Sequence, residues 1–115
     1  MKTYPITPVA KPRMTQRDKW KKRPVVQRYY AFKDQVRAHK VTLNYRDQRV
    51  IFVIPMPKSW SKSKRDVFNG SDHQQKPDID NLFKALADSI FEDDSHISDV
   101  RISKIWGTEG AIIII

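Results

Sequence analysis

The chain has 115 residues, enough for one domain with a modest hydrophobic core and too few for two domains of ordinary size. It contains no cysteine, which excludes disulfides, thiolate zinc sites and a cysteine nucleophile. There are 22 Lys and Arg residues against 13 Asp and Glu, and the resulting net charge of +9 predicts a polyanionic partner such as a nucleic acid.

The first half of the sequence predicts a strand, a basic loop and a helix. Residues 4–9 are β-branched and interrupted by proline, which is typical of an edge strand or an extended lead-in. Residues 11–28 are rich in lysine and arginine and predict a loop that is mobile without its partner. Residues 29–39 carry apolar side chains at helical spacing, which predicts an amphipathic helix. The basic loop residues expected to contact DNA are Arg13, Arg17, Lys19, Lys21, Lys22 and Arg23.

A buried strand and a short basic helix follow. Residues 49–56 form an apolar run that ends in proline, as expected for a strand buried on both faces. Residues 59–69 begin with serine and precede Gly70, which favours a helix that presents Lys62, Lys64 and Arg65 to DNA.

The last third predicts a helix with two distinct faces and then two strands. In residues 77–90 the apolar side chains share one face, whereas Asp80, Lys84 and Asp88 lie at four-residue intervals on the other. Residues 100–106 predict a strand and 107–110 a turn into 111–115, so we expect a terminal β-hairpin. The isoleucine-rich end would aggregate if exposed, so we expect either that it is a central strand or that the chain has been cut there.

Charge is distributed unevenly along the sequence. Up to Arg65 there are 18 basic residues and three acidic ones, whereas ten acidic and only four basic residues follow. A protein that only binds nucleic acid gains nothing from clustered carboxylates, because they repel phosphates. A nuclease needs carboxylates to bind the metal ion that acts on the phosphodiester. The distribution therefore favours an enzyme.

Two aspartates at the start of the third predicted helix are the main candidates for catalysis. Asp78 and Asp80 can direct both carboxylates to one point, where Mg²⁺ would take oxygen ligands. The acidic cluster at 92–94 could supply a third ligand, and Lys84 could hold a phosphate oxygen. The structural alternatives are a helix cap, a dipole-complementing acid, a surface ion pair and a solvated turn. Spacing alone does not choose between the two interpretations.

Histidine and tryptophan give weaker signals. His73 has no ligand spacing to support it, so we expect a loop histidine that touches solvent or phosphate. Trp20 and Trp60 could stack on exposed bases of a nucleic acid. Trp106 could do the same, although its place on a predicted strand favours the core.

The segment from Pro77 to Lys84, with Asp88 and the Asp93–Asp94 pair, resembles the signature of the RusA family of Holliday-junction resolvases. In that signature an Asp-x-Asp-Asn-x-x-Lys helix start is followed by an Asp-Asp pair. Residues 11–15, 55–61 and 105–107 are similar in character to phage-encoded members, so the resemblance covers most of the chain.

This resemblance implies an α/β (α+β) fold, in which a small mixed sheet packs with two to three helices in a single domain over residues 1–115. It also implies a homodimer that cuts four-way DNA junctions with Mg²⁺, or Mn²⁺ as a substitute, in DNA recombination and repair. Asp78 and Asp80 match the first two metal ligands, Lys84 the essential lysine and Asp94 the third acid. The link from Asp88 to Asp93 is shorter than in the family, so Asp93 also stays a candidate.

The sequence also predicts where the protein is found in the cell. No stretch approaches the roughly 18 apolar residues of a membrane span, and residues 1–13 lack a signal-peptide core, so we expect a protein of the bacterial or phage-infected cytoplasm that does not bind membranes.

The competing interpretation is a non-catalytic, basic nucleic-acid-binding module whose acids are helix caps. Metal-dependent nicking of a four-way junction would separate the two.

Overall fold

The computed structural model describes residues 1–13 and 23–115. Within these residues a four-stranded mixed sheet packs with three α-helices, which confirms the predicted α+β class. In chain order the elements are β1 (Lys2–Tyr4), α1 (Pro24–Ala38), β2 (Gln48–Pro55), α2 (Lys62–Phe68), α3 (Ile79–Ile90), a 3₁₀ turn (Asp94–His96), β3 (Val100–Gly107) and β4 (Ala111–Ile114).

The sheet order is β1-β4-β2-β3, so β2 and β4 are the inner strands. β2 pairs in parallel with β3 from Gln48↔Val100 to Pro55↔Gly107, and antiparallel with β4. β2 therefore has a partner strand on each side. Gln48, Val50 and Phe52 are buried on one face, whereas the other face is half-buried, so the predicted burial of both faces is met on one face only. A parallel pair needs a long crossover, and here α2 and α3 lie within that crossover.

The predicted terminal hairpin is wrong. β4 does not return beside β3, because it crosses the end of the sheet and pairs with β2 on the other side. Two glycines permit this crossing: a Cβ at Gly107 would lie 2.3 Å from Val53 Cγ1, and one at Gly110 would lie 2.4 Å from Thr7 Oγ1. In this position Ile112 is fully buried, so the expectation of a central final strand is confirmed.

The first strand is an edge strand, but it lies earlier than predicted. β1 covers residues 2–4 and pairs with β4 from Lys2↔Ile114 to Tyr4↔Ile112. Residues 5–10 form no regular structure, because Pro5 and Pro8 lack the N–H groups that a strand would use.

α1 begins at Pro24, earlier than the predicted start at Tyr29. Proline is tolerated in the first turn of a helix, where its missing N–H would have no helical partner, so Pro24 starts the helix and does not belong to the loop. Of the predicted basic loop, residues 14–22 lie outside the described part of the chain, and with them Arg17, Lys19, Lys21 and Lys22.

α2 confirms the predicted short basic helix. Ser61 is its N-cap and accepts a hydrogen bond from the Lys64 backbone N–H at 3.2 Å. Just beyond its end, Gly70 has a φ of +83°, a conformation that glycine adopts without strain.

The core lies where α1 and α3 meet the sheet. Its fully buried side chains include Phe32 from α1, Phe52 from β2 and Leu82 and Leu86 from α3. Because this face of α3 is buried, the opposite face with Asp80 and Lys84 is turned to solvent. In the described parts of the chain, no helix has the length and apolar character needed to cross a membrane.

Candidate active site

The carboxylate of Asp78 is not used to cap α3. Asp78 occupies the N-cap position with extended backbone angles, and its carbonyl accepts from Leu82 N at 3.2 Å. Its side chain, however, makes no capping hydrogen bond. A capping aspartate would accept a bond from the second or third helical N–H. The main structural alternative for Asp78 therefore does not apply, and its exposed carboxylate is available to a ligand.

Asp80 and Lys84 form only a loose surface pair. The Lys84 Nζ and Asp80 Oδ2 atoms are 3.9 Å apart, and the two side chains are 59% and 67% exposed. Such a pair contributes little to stability because water screens it and both side chains lose freedom in forming it. Both groups can therefore turn to a substrate at small energetic cost. The helix dipole also favours negative charge where Asp80 lies, in the first turn.

Residues 11–13 run alongside α3 and connect its two ends. The Lys11 backbone N–H donates to the Asn81 carbonyl at 3.1 Å, and the Lys11 ammonium forms a close ion pair with Asp88. The hydrogen bond that the Lys11 ammonium donates to Asp88 is the main reason that the pKa of Lys11 is raised. Lys11, Pro12, Arg13, Asn81 and Lys84 line an open cavity of about 400 Å³. Arg13 and Lys84, both predicted to meet DNA, thus share one depression.

The sequence does not single out the Lys11–Asp88 pair. The two residues are 77 positions apart, and helical spacing places Asp88 with Asp80 and Lys84 on a free polar face. In the structure, Lys11 neutralises Asp88. This leaves Asp78, together with Asp80 in its loose pair with Lys84, as the carboxylates of α3 and its N-cap that are available to a ligand.

The acidic pair after α3 has two different roles. Asp93 Oδ1 accepts a hydrogen bond from Ser95 N at 2.9 Å and so caps the 3₁₀ turn. This backbone hydrogen bond is the largest cause of the lowered pKa of Asp93. Asp94 is exposed within the turn itself. Asp93 is thus committed to local structure, which favours Asp94 as the carboxylate that acts on a ligand.

Asp78 and Asp80 are near neighbours at the N-cap and in the first turn of α3, and the structure does not group Asp94 with them. Across residues 1–13 and 23–115, no three or more acidic or histidine side chains are grouped so that they could hold a metal ion. Asp94 follows the other end of α3, whose 12 residues span about 18 Å. Mg²⁺ is commonly bound through one or two carboxylates, several waters and substrate phosphates. The two free carboxylates at the start of α3 fit this kind of site.

His73 is buried, so the expectation of an exposed loop histidine is wrong. Its side chain is 4% exposed, its ring centroid is 4.2 Å from that of Trp106, and its Nδ1 atom is buried without a hydrogen-bond partner. Trp106 provides the surface that receives the ring, and its predicted place in the core is confirmed. Burial and, secondly, the charge of Lys104 lower the pKa of His73 below its ordinary value of 6.5, so folding disfavours its protonated form.

We predict that stability falls as the solution is acidified below about pH 6.5. The unfolded chain then binds a proton at His73 near its ordinary pKa of 6.5, whereas the lowered pKa delays protonation of the folded chain. The unfolded state thus binds more protons, and the free energy of unfolding should decrease by up to about 1.4 kcal/mol per pH unit. Urea denaturation between pH 7.5 and 5 measures this slope.

The matched variants are His73→Phe and His39→Gln. The first should flatten the decrease, because it removes the buried titrating group. The second removes an exposed histidine and should leave the decrease unchanged. A decrease of equal steepness in His73→Phe would show that other groups cause it.

The basic residues in the described part of the chain differ in whether their side chains are already hydrogen-bonded to the protein. Lys62 and Lys64 are exposed on α2, and the Lys64 ammonium lies 4.2 Å from the ring centroid of Trp60. Arg65 donates to the Pro57 carbonyl at 3.0 Å, and Arg23 donates to the Arg13 carbonyl at 2.7 Å. These two arginines hold backbone segments in place, a role that the sequence did not indicate.

Exposed carboxylates at a helix start can bind the metal ion that a nuclease uses, and the strongly basic chain suits a polyanionic substrate. A family model described as endodeoxyribonuclease RusA matches residues 5–115, and the chain therefore belongs to the RusA family of endodeoxyribonucleases. This confirms the resemblance found in the sequence.

Beyond the family match, the chain is similar to part of one curated protein. The chain is similar to YqaN of Bacillus subtilis (strain 168), described as an uncharacterized protein, with 36% identity over 63 residues. The match covers 48% of this chain and 44% of the Bacillus protein, so the chain spans less than half of that relative's length. No solved structure matches the chain.

Proposed function

We propose that this protein is a Mg²⁺-dependent endonuclease that resolves four-way DNA junctions in recombination and repair, in the cytoplasm of a bacterium or of a phage-infected cell. The observation that carries the proposal is the uncapped, exposed carboxylate of Asp78 beside Asp80 at the start of α3, within a match to the RusA family. A chain that only bound nucleic acid would have no use for free carboxylates at this position.

Each site residue has a distinct role in this proposal. Asp78 and Asp80 would hold Mg²⁺, or Mn²⁺ in its place. Asp94 lies beyond the other end of α3 and would become the third ligand when bound DNA and metal draw the segment after α3 toward them. A bound divalent ion would supply Lewis acidity and an activated water, so no protein nucleophile is needed. Lys84 can leave its loose pair with Asp80 and donate to a phosphate oxygen as charge develops there. Lys62 and Lys64 would hold the DNA backbone.

The direct test compares synthetic four-way, three-way and linear duplex DNA, each with and without Mg²⁺. We expect symmetrical cuts in opposed strands of the four-way junction, only in the presence of the ion. Binding to every substrate without any cutting would support the alternative of a non-catalytic basic module. Equal cutting of linear duplex would contradict junction selectivity.

The role of α2 gives a separate prediction for binding. Changing both Lys62 and Lys64 to Gln should weaken junction binding and flatten the plot of log affinity against log salt by up to about 1.8, since each lost phosphate contact removes about 0.9. Fluorescence anisotropy from 50 to 300 mM salt measures the slope. Lys2→Gln combined with Lys40→Gln removes the same charge from exposed positions outside α2 and is the matched control. Equal slopes in both double variants would show that α2 does not contact DNA.

A further inference from the structure

The loop that leads into Asp78 is attached to the free edge of β3. The Gly70 N–H donates to the Trp106 carbonyl at 2.8 Å, and the Trp106 N–H donates to the Ser71 carbonyl at 2.9 Å. The His73 N–H then donates to the Lys104 carbonyl at 3.0 Å. This ladder of backbone hydrogen bonds covers an edge that would otherwise be open, and it stops at His73, before the loop reaches Asp78.

The Lys104 side chain continues the attachment where the backbone ladder stops. Its ammonium donates to the Pro77 carbonyl at 2.7 Å and also to the carbonyl of Gln75. Proline has no backbone N–H, so its carbonyl is the only backbone group through which Pro77 can be held. Hydrogen bonds from a charged donor are stronger than neutral ones. Lys104 itself belongs to a strand paired with β2 along its whole length, and it is therefore a fixed anchor.

We propose that Lys104 is a positioning residue for the active site. By holding the carbonyls on both sides of Lys76, it fixes the backbone that carries Asp78 and thereby sets where the Asp78 carboxylate lies relative to that of Asp80. This inference rests on the proposed function, because it concerns the carboxylates of that reaction. The ammonium is committed to two carbonyls, so it acts through the loop and not as a phosphate contact.

The test compares Lys104→Met, which keeps the length of the side chain but cannot donate, with Lys104→Arg, which can. In Lys104→Met we expect kcat for the four-way junction to fall about 10- to 100-fold, the range found when groups that orient metal ligands are removed. Affinity for the junction without divalent ions should stay within about twofold of wild type. Lys104→Arg should recover most of kcat. Arg101→Met removes an exposed cation from the same strand and should keep wild-type kcat.

Amide hydrogen exchange gives a readout that does not depend on catalysis. The amides of His73 and Leu82, which donate to the Lys104 and Asp78 carbonyls at the two ends of the loop, should exchange at least about tenfold faster in Lys104→Met than in wild type or Arg101→Met, because the loop opens locally. Unchanged exchange in Lys104→Met overturns the inference, and so does wild-type kcat with a junction that the native protein cuts. A native protein that cuts no junction overturns the proposed function, whereas an active native protein with an unimpaired Lys104→Met overturns this inference alone.

Discussion

Asp78→Asn and Asp80→Asn should each lower the rate of junction cleavage by more than about 100-fold, a larger loss than is usual when only a supporting residue of a metal site is removed. Asparagine keeps the shape of the side chain but loses the charge that a hard cation requires. Junction binding should be intact or tighter, because each change also removes repulsion toward phosphate. Single-turnover cleavage with Mg²⁺ and gel-shift binding without it measure the two effects separately.

Asp66→Asn is the matched control, since it removes one exposed carboxylate from α2. It should cut at the wild-type rate. If Asp78→Asn or Asp80→Asn also cuts at that rate, the start of α3 is not the active site.

The losses of cleavage rate in Asp93→Asn and Asp94→Asn, compared with each other, identify the third metal ligand. Asp94→Asn should match the loss in Asp80→Asn, whereas Asp93→Asn should be milder because an asparagine oxygen can still accept the hydrogen bond from Ser95. The opposite ranking would assign the third ligand to Asp93.

Local patterns in the sequence predicted much of the fold. The spacing of apolar residues in α3, the continuous apolar run of β2 and the serine start of α2 each depend on neighbouring residues, and all three elements were confirmed. The path of the last strand was not predictable in this way. A turn between two strands usually forms a hairpin, whereas the path to β4 brings Gly110 against Thr7, a contact between opposite ends of the chain that local patterns do not reveal.

In the candidate site, too, local sequence patterns predicted some features, whereas others depend on contacts between distant residues. The aspartate spacing drew attention to Asp78 and Asp80, and the structure then showed that the Asp78 side chain is free. Lys104 and Lys11 could not be recognised, because each reaches its partner across a long separation in sequence. The sequence predicts an exposed loop histidine at His73, and its burial depends on the tertiary contact with Trp106.

A two-fold symmetric homodimer is the working unit that we propose. Resolving a four-way junction requires cuts in two opposed strands, and one chain carries a single Asp78–Asp80 pair. Two copies related by a two-fold axis would supply two such pairs with the symmetry of the substrate. A small chain also buries only a modest core, so pairing would add to its stability.

Mixing wild-type and Asp80→Asn chains should produce dimers that nick one strand of a junction but rarely resolve it. The reason is that each mixed dimer would have one intact and one disabled site, and the two cuts are made by different chains. The chains are exchanged by refolding from urea, and the products from a supercoiled cruciform plasmid are counted as nicked circles or linear molecules. Nicked circles should be most abundant near equal mixing and scarce with wild type alone. Light scattering at micromolar concentration should give twice the mass of the chain. A monomeric mass, together with paired cutting that declines only in proportion to the wild-type fraction, would show that one chain makes both cuts.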